Sequence, residues 1–198
     1  ILVSVMYVNN EVGAIEPIEE IASLVHGRNP AILLHVDAIQ AYGKLVIHPK
    51  KQGIDLLSVS AHKFHGPKGV GFLFIDERVK IHPLLYGGGQ QKDLRSGTEN
   101  VPGIAGMGAA AQEMYTDHQE KVDYITGLKD YMIDRMGQLE GVTVNSLKGN
   151  QGAPQIVSAG FAGVRSEVLL HALEEKGIYV SSGSACSSNH PAISGTLK

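Results

Sequence analysis

A single cysteine, Cys186, is all the thiol this 198-residue chain carries. One cysteine cannot build an internal disulfide framework or a cysteine-rich metal site. The nine histidines add no HxxxH or HExxH pair, the spacing that puts two imidazoles on one helix face, so no metal site is expected. No apolar run reaches the length that crosses a bilayer. Positive charge is not in excess either. The net charge of −3 argues against electrostatic binding to nucleic acid or to an anionic membrane. Three familiar site signatures are also missing. The GPKG run at 66–69 is not a GxxxxGK[ST] phosphate loop, GxGxxG does not occur, and Gly183-Ser184-Ala185 lacks the closing glycine of GxSxG.

What is present is an ordinary globular composition, 43% hydrophobic and 19% charged, with enough length for one large domain or two small ones. The 24 glycines favour tight turns and close backbone approaches. The chain opens on Ile1-Leu2-Val3-Ser4-Val5, which reads as the middle of a core strand. It closes on Ser194-Gly195-Thr196-Leu197-Lys198, which reads as the start of a helix. A segment of a longer protein is therefore expected, so targeting signals could stand outside it.

Along the chain, apolar runs of buried-strand type alternate with helical patterns. Strands are expected at Ile1–Val8, Ala31–Val36, Asp55–Ser60 and Val70–Ile75. A helix over Pro17–His26 carries Ile18, Ile21, Ala22 and Val25 as one apolar face, and a short helical turn is expected over Ala38–Tyr42. This alternation predicts an α/β layer with a mostly parallel sheet, in which ligands bind beyond the carboxyl ends of the strands. Asn10, Asp37 and the Ser60–Lys63 group all follow strand ends, which would collect them on one edge. Leu84–Thr98, with three consecutive glycines, reads as a loop, and Val101–Leu139 as a long, mostly helical stretch, small and apolar over Gly103–Ala111 and amphipathic after it. The domain boundary is expected in that stretch, dividing residues 1–114 from a small α+β domain at 115–198. The second domain should hold strands at Val142–Val144, Gln155–Phe161 and Ile178–Val180, with a helix at Val164–Lys176.

Several residues have a chemical and an ordinary explanation side by side. A carboxylate at the end of the apolar run 31–36 needs a cationic or strong donor partner. A protonated pyridine nitrogen would serve Asp37, as in pyridoxal phosphate sites, but capping the turn at Ala38 would satisfy it as well. Ser60, His62 and Thr98 are donors suited to phosphate oxygens, or simply turn residues. Lys63, between a strand end and a glycine turn, is placed to form a Schiff base, although a solvated loop lysine is the commoner case. Cys186 stands among Ser184, Ala185, Ser187 and Ser188 with no aliphatic face around it. An exposed thiol on a mobile loop suits a nucleophile that must travel.

Five segments then occur in a telling order: VNNEVG at 8–13, HVDAIQA at 35–41, SVSAHKFHGPKGVG at 58–71, RSGTENV at 95–101 and SGSACSS at 182–188. With them the chain closely resembles the cysteine desulfurases of the class V aminotransferases, fold-type-I pyridoxal phosphate enzymes, over essentially its whole length. The resemblance implies part of the large mixed-sheet cofactor domain plus a small α+β domain. It implies that pyridoxal 5'-phosphate is held covalently on Lys63, with Asp37 at the pyridine nitrogen and Gln40 at the phenolic oxygen. Ser60 and His62 would hold the phosphate, joined by Thr98, which typically reaches the neighbouring subunit of a homodimer. Asn10 would lie near the phenolic oxygen and the substrate. Cys186 would take sulfur from L-cysteine as a persulfide, leave alanine, and pass the sulfur to an acceptor such as an iron–sulfur scaffold or a thiolation protein. A cytoplasmic enzyme is the expectation, with organellar targeting left open.

The family's N-terminal phosphate-binding loop, its cofactor-stacking histidine and a C-terminal substrate-binding arginine have no counterpart in these 198 residues. The isolated chain is therefore expected to be inactive or nearly so. Two other readings stay open: a selenocysteine lyase or related class V lyase, and a non-catalytic sulfur carrier or scaffold that presents Cys186 to partners.

Overall fold

Residues 1–182 and 196–197 are described by a computed structural model. They fall into two compact units. One comprises Ile1–Val8 and Glu16–His118, the other Asn9–Ile15 and the chain from Gln119 onward.

In the first unit four strands form one sheet in the order β1-β2-β3-β4. β1 (Leu2–Met6), β2 (Leu33–Asp37) and β3 (Leu56–Ser60) run parallel, and β4 (Gly71–Ile75) runs antiparallel to β3. The reversal follows from the connection. Parallel neighbours need a long crossover, and β1 and β2 are joined through α1 (Ile18–Arg28). Between β3 and β4 there is only a 3-10 turn, Ala61–Phe64, and the Gly/Pro-rich run after it. Gly71 is obligatory at this pairing, because an added Cβ would lie 2.3 Å from the Val59 carbonyl oxygen.

The strands are shorter than their apolar runs, and β2 alternates rather than being buried on both faces. Leu34 and Val36 are fully buried, while His35 and Asp37 on the opposite face are half-buried. The core lies on the Leu34/Val36 side, with Ile54, Leu57, Val59, Ala61 and Phe64. α1 presents Ile18 and Ala22, one turn apart, as its buried positions, and Glu19 and Glu20 favour its positive N-terminal end.

A buried carboxylate locks this unit. Asp55, 3% exposed, accepts the Leu34 N–H at 2.8 Å and an Arg78 guanidinium N–H at 3.2 Å, and lies 2.9 Å from His26 Nε2 of α1. Each partner offsets part of the cost of taking the charge out of water.

The expected helical stretch over 101–139 is two helices. α2 (Val101–Tyr115) starts from Asn100, whose side chain accepts the Gly103 N–H, and α3 spans His118–Met136. The break has a local cause. Thr116 is extended, its hydroxyl donates back to the Gln112 carbonyl, and Asp117 adopts φ +50°.

In the second unit α3 is followed by β5 (Val142–Val144), β6 (Ala159–Phe161), antiparallel to β5, and α4 (Ser166–Glu174). The strand expected at Gln155–Phe161 is confined to its last three residues, and Ile178–Val180 is not a strand. Their apolar side chains do not suffice, since a strand exists only where a neighbour takes its backbone groups. Lys129, 3% exposed, donates to the carbonyls of Gly149 and Gly152, both at 2.8 Å. Burial holds its pKa below the ordinary lysine value. Gly152 bridges to Ala14, and the Ala153 N–H donates to the Gly13 carbonyl.

Candidate active site

Two strand ends build the site of the first unit. β2 and β3 are parallel, with Asp37 opposite Ser58, so their carboxyl ends lie on the same edge of the sheet. β1 ends there too, with Met6 opposite Asp37. Asn10 comes four residues after Met6 in the chain, as an exposed residue of the Asn9–Ile15 turn, which belongs to the second unit. The Asn9 side chain folds that turn by accepting the N–H groups of Glu11 and Val12.

Asp37 closes β2 and opens the next turn. Its Oδ1 accepts the Ile39 N–H at 2.9 Å, so the capping role is real. A carboxylate has further lone pairs to offer, so this bond does not use up its capacity. The Ala38 N–H crosses to the Ser58 carbonyl, and the Ala38 carbonyl accepts from Ala41 and Tyr42, which makes the expected turn around half-buried Gln40.

At the end of β3 the 3-10 turn places Ala61 and Phe64 on one side, because residues three apart eclipse in that geometry. Both are completely buried, and the intervening His62 and Lys63 are consequently exposed. Ser60 Oγ and His62 Nδ1 share a hydrogen bond of 2.8 Å. His65 takes the left-handed conformation, φ +67°, to turn the chain out.

Three features of this region were not anticipated from the residues. First, Tyr42 packs on Phe64, Phe72 and Tyr115, with ring centroids 4.9, 5.3 and 5.5 Å away. Burial raises the pKa of the Tyr42 phenol. Second, a polar row crosses the Asp37 face of the sheet: Ser4 Oγ to His35 Nδ1 at 2.7 Å, and His35 Nε2 to Ser58 Oγ at 3.0 Å. The period-2 spacing of His35 with Asp37 and of Ser58 with Ser60 was the available signal. Third, Lys44 Nζ donates to the Lys63 carbonyl. Burial, and secondarily the charge of Lys63, bring the Lys44 pKa down to about 8.

Thr98 is exposed in the long loop, and no hydrogen bond joins it to the Lys63 turn among the described residues. Cys186 lies outside the described residues. A cavity of about 360 Å³ lies in the same long loop, lined by Ile81, Tyr86, Lys92 and Asp93 among others, and contains none of the candidate residues. The chemistry of the Asp37 and Lys63 strand ends therefore marks the site better than concavity does.

The donor set fits pyridoxal phosphate. An acceptor carboxylate stands at the end of β2, a hydroxyl and an imidazole at the end of β3, and an accessible primary amine beside them. These match a ring N–H, a phosphate and an aldehyde respectively.

Comparison with known proteins agrees with this chemistry. The family model for aminotransferase class-V matches residues 1–197. The chain is 43% identical over 190 residues to cysteine desulfurase IscS of Dictyoglomus turgidum, covering 96% of this chain and 48% of that protein. It is 46% identical over 188 residues to putative cysteine desulfurase IscS 1 of Bacillus subtilis, covering 94% and 48%. Among solved structures, a NifS-like protein superposes with a TM-score of 0.86 at 40% identity, over 91% of this chain and 49% of that one. A NifS-like protein from Rickettsia africae gives 0.82 at 27% identity, over 96% and 53%. The chain thus spans about half the length of the curated relatives it matches.

Proposed function

This chain belongs to the class-V aminotransferase family, and from that premise we propose that its parent protein is a pyridoxal-phosphate-dependent cysteine desulfurase. The observation that carries the reading is the pairing of Asp37 and the Lys63 turn on one sheet edge, within a chain matched by that family over residues 1–197. Its likeness to proteins named cysteine desulfurase supports the choice of reaction.

Lys63 would hold the cofactor covalently. Asp37 would keep the ring nitrogen protonated, Gln40 and Asn10 would address the phenolic oxygen, and Ser60, His62 and Thr98 would hold the phosphate, Thr98 across a homodimer. When bound, the cofactor supplies an electron sink that weakens the carbon–sulfur bond of the substrate. The Cys186 thiolate would accept the sulfur atom, so that L-cysteine and the thiol become L-alanine and a Cys186 persulfide. A sulfur-acceptor protein, such as an iron–sulfur scaffold or a thiolation enzyme, would then take it. The described residues contain no helix long and apolar enough to cross a membrane, and a cytoplasmic enzyme is proposed.

The test is made on the full-length protein with pyridoxal phosphate and L-cysteine. Equal amounts of alanine and transferable sulfur are expected, with a visible absorbance band. Lys63→Ala should remove band and turnover together, whereas Cys186→Ser should keep the band and lose at least about a hundredfold in turnover, as expected when a nucleophile is removed. A band that survives Lys63→Ala, or undiminished turnover in Cys186→Ser, would overturn the assignment.

A further inference from the structure

Two lysines meet at the anchor turn, and the proposed chemistry uses only one of them. The reason lies in the backbone of the turn. In a helical pattern the Lys63 carbonyl would look for the N–H of residue 66 or 67. The Gly66 N–H is already committed to the Ala61 carbonyl at 2.9 Å, and residue 67 is proline, which has no N–H. The peptide that bears the anchor side chain therefore has an acceptor that its own turn leaves unmatched. Lys44 supplies the donor, its Nζ bonding the Lys63 carbonyl.

Lys44 is itself firmly placed. Its N–H donates to the Ala41 carbonyl at 3.0 Å, which makes it the continuation of the Asp37–Gln40 turn. The preceding Gly43 has φ +77°, and its N–H donates to the Tyr115 hydroxyl at 3.2 Å. A Cβ at Gly43 would come within 3.4 Å of both Met114 and Phe64 side chains, so the backbone is closely packed there. The half-buried Lys44 side chain thus spans from the segment carrying Asp37 and Gln40 to the segment carrying Lys63.

We propose that Lys44 is the positioning residue of the cofactor site, holding the Lys63 peptide so that the Lys63 amine is presented to the cofactor aldehyde while Lys44 itself does not react. The inference rests on the pyridoxal phosphate reading given above. The lowered pKa of Lys44 agrees with a burial tolerated for the sake of this contact. No other side chain makes a hydrogen bond to the Lys63 carbonyl among the described residues.

The test uses the full-length protein stripped of cofactor and titrated with pyridoxal phosphate. Binding is followed by the visible band and, after borohydride reduction, by peptide mapping of the labelled lysine. Lys44→Met should weaken cofactor binding by about tenfold or more, the usual effect of losing a hydrogen bond from a charged group. Its label should still map to Lys63. Lys44→Arg, which can also reach a carbonyl, should recover most of the affinity, a rescue that a general folding defect would not show. If Lys44→Met does not fold, Lys44→Gln serves in its place with the same expected direction. Equal affinity in wild type and Lys44→Met, equal loss in Lys44→Met and Lys44→Arg, or a label on Lys44 would each overturn the proposal. Wild type that captures no cofactor would overturn the pyridoxal phosphate reading as well. Capture at Lys63 with no effect of Lys44→Met would overturn this inference alone.

Discussion

The rings of Tyr42 and Phe64 lie 4.9 Å apart at 55°, so the turn after β2 and the turn after β3 share one aromatic contact. Aromatic pairs at this separation add a specific attraction to the area they bury. Here the contact joins the two segments that carry Asp37 and Lys63. Phe64 is fully buried one residue after the exposed Lys63, so its packing holds down the turn on which the amine stands.

Phe64→Ala should therefore destabilise the protein by about 3–5 kcal/mol, the range for truncating a buried phenylalanine. Phe64→Leu should cost much less, because most of the volume is kept. Urea denaturation followed by circular dichroism measures both. A Phe64→Ala midpoint indistinguishable from wild type would contradict the central place given to this side chain.

Asp55 carries a second prediction. Its carboxylate gathers β2 through the Leu34 N–H, α1 through His26 and the chain after β4 through Arg78. Asp55→Ala leaves the buried Leu34 N–H without an acceptor, and a loss of about 1–3 kcal/mol is expected. Arg78→Ala should shift the denaturation midpoint far less, since the Arg78 side chain is 74% exposed while that of Asp55 is 5% exposed. Denaturation curves of the two variants side by side check the ranking. Arg78→Ala proving the worse of the two would sink it.

Lys44 makes stability depend on pH in a definite direction. Its pKa is about 8 in the folded chain against an ordinary 10.5. Below about 8 both forms hold the proton, and the cost of burying the charge is present in full. Between the two values the unfolded chain binds more protons, so stability rises with pH. The raised Tyr42 and Tyr115 phenols oppose this only near and above their ordinary value of 10. Urea midpoints of cofactor-free protein should rise as pH goes from about 8 towards 10, and Lys44→Met should flatten that rise. Parallel curves for the two proteins would refute it.

Much of the sheet was legible because its signal is local. The apolar runs at 1–8, 31–36, 55–60 and 70–75 each hold all or most of a strand, and Asp37 and Ser60 stand at the carboxyl ends of β2 and β3, with His62 and Lys63 just after. The capping of α2 by Asn100 is equally a matter of adjacent residues. A boundary was expected inside the helical stretch after residue 114, but no residue announces the helix end at Thr116–Asp117, since neither glycine nor proline stands there and the left-handed conformation falls on an aspartate. Ile178–Val180 misled for the opposite reason, since it has strand-like side chains but no strand structure. Asp55 looked like the first residue of a strand. Its three partners stand 21, 23 and 29 residues away, where no local pattern reaches.

The amino-acid sequence by itself determined the chemistry on offer: the ordered motifs around Asp37 and Lys63, the single thiol at Cys186, and the family to which these belong. Such motifs are contiguous because one turn must present several groups at once. Tertiary structure alone decided how the lysine is held. The Lys63 carbonyl is left unmatched by a turn that ends in Gly66-Pro67, and a donor nineteen residues earlier, Lys44, closes it. That pairing comes from two loops brought together by parallel strands β2 and β3. A contact made by strand register leaves no spacing in the sequence from which it could be read.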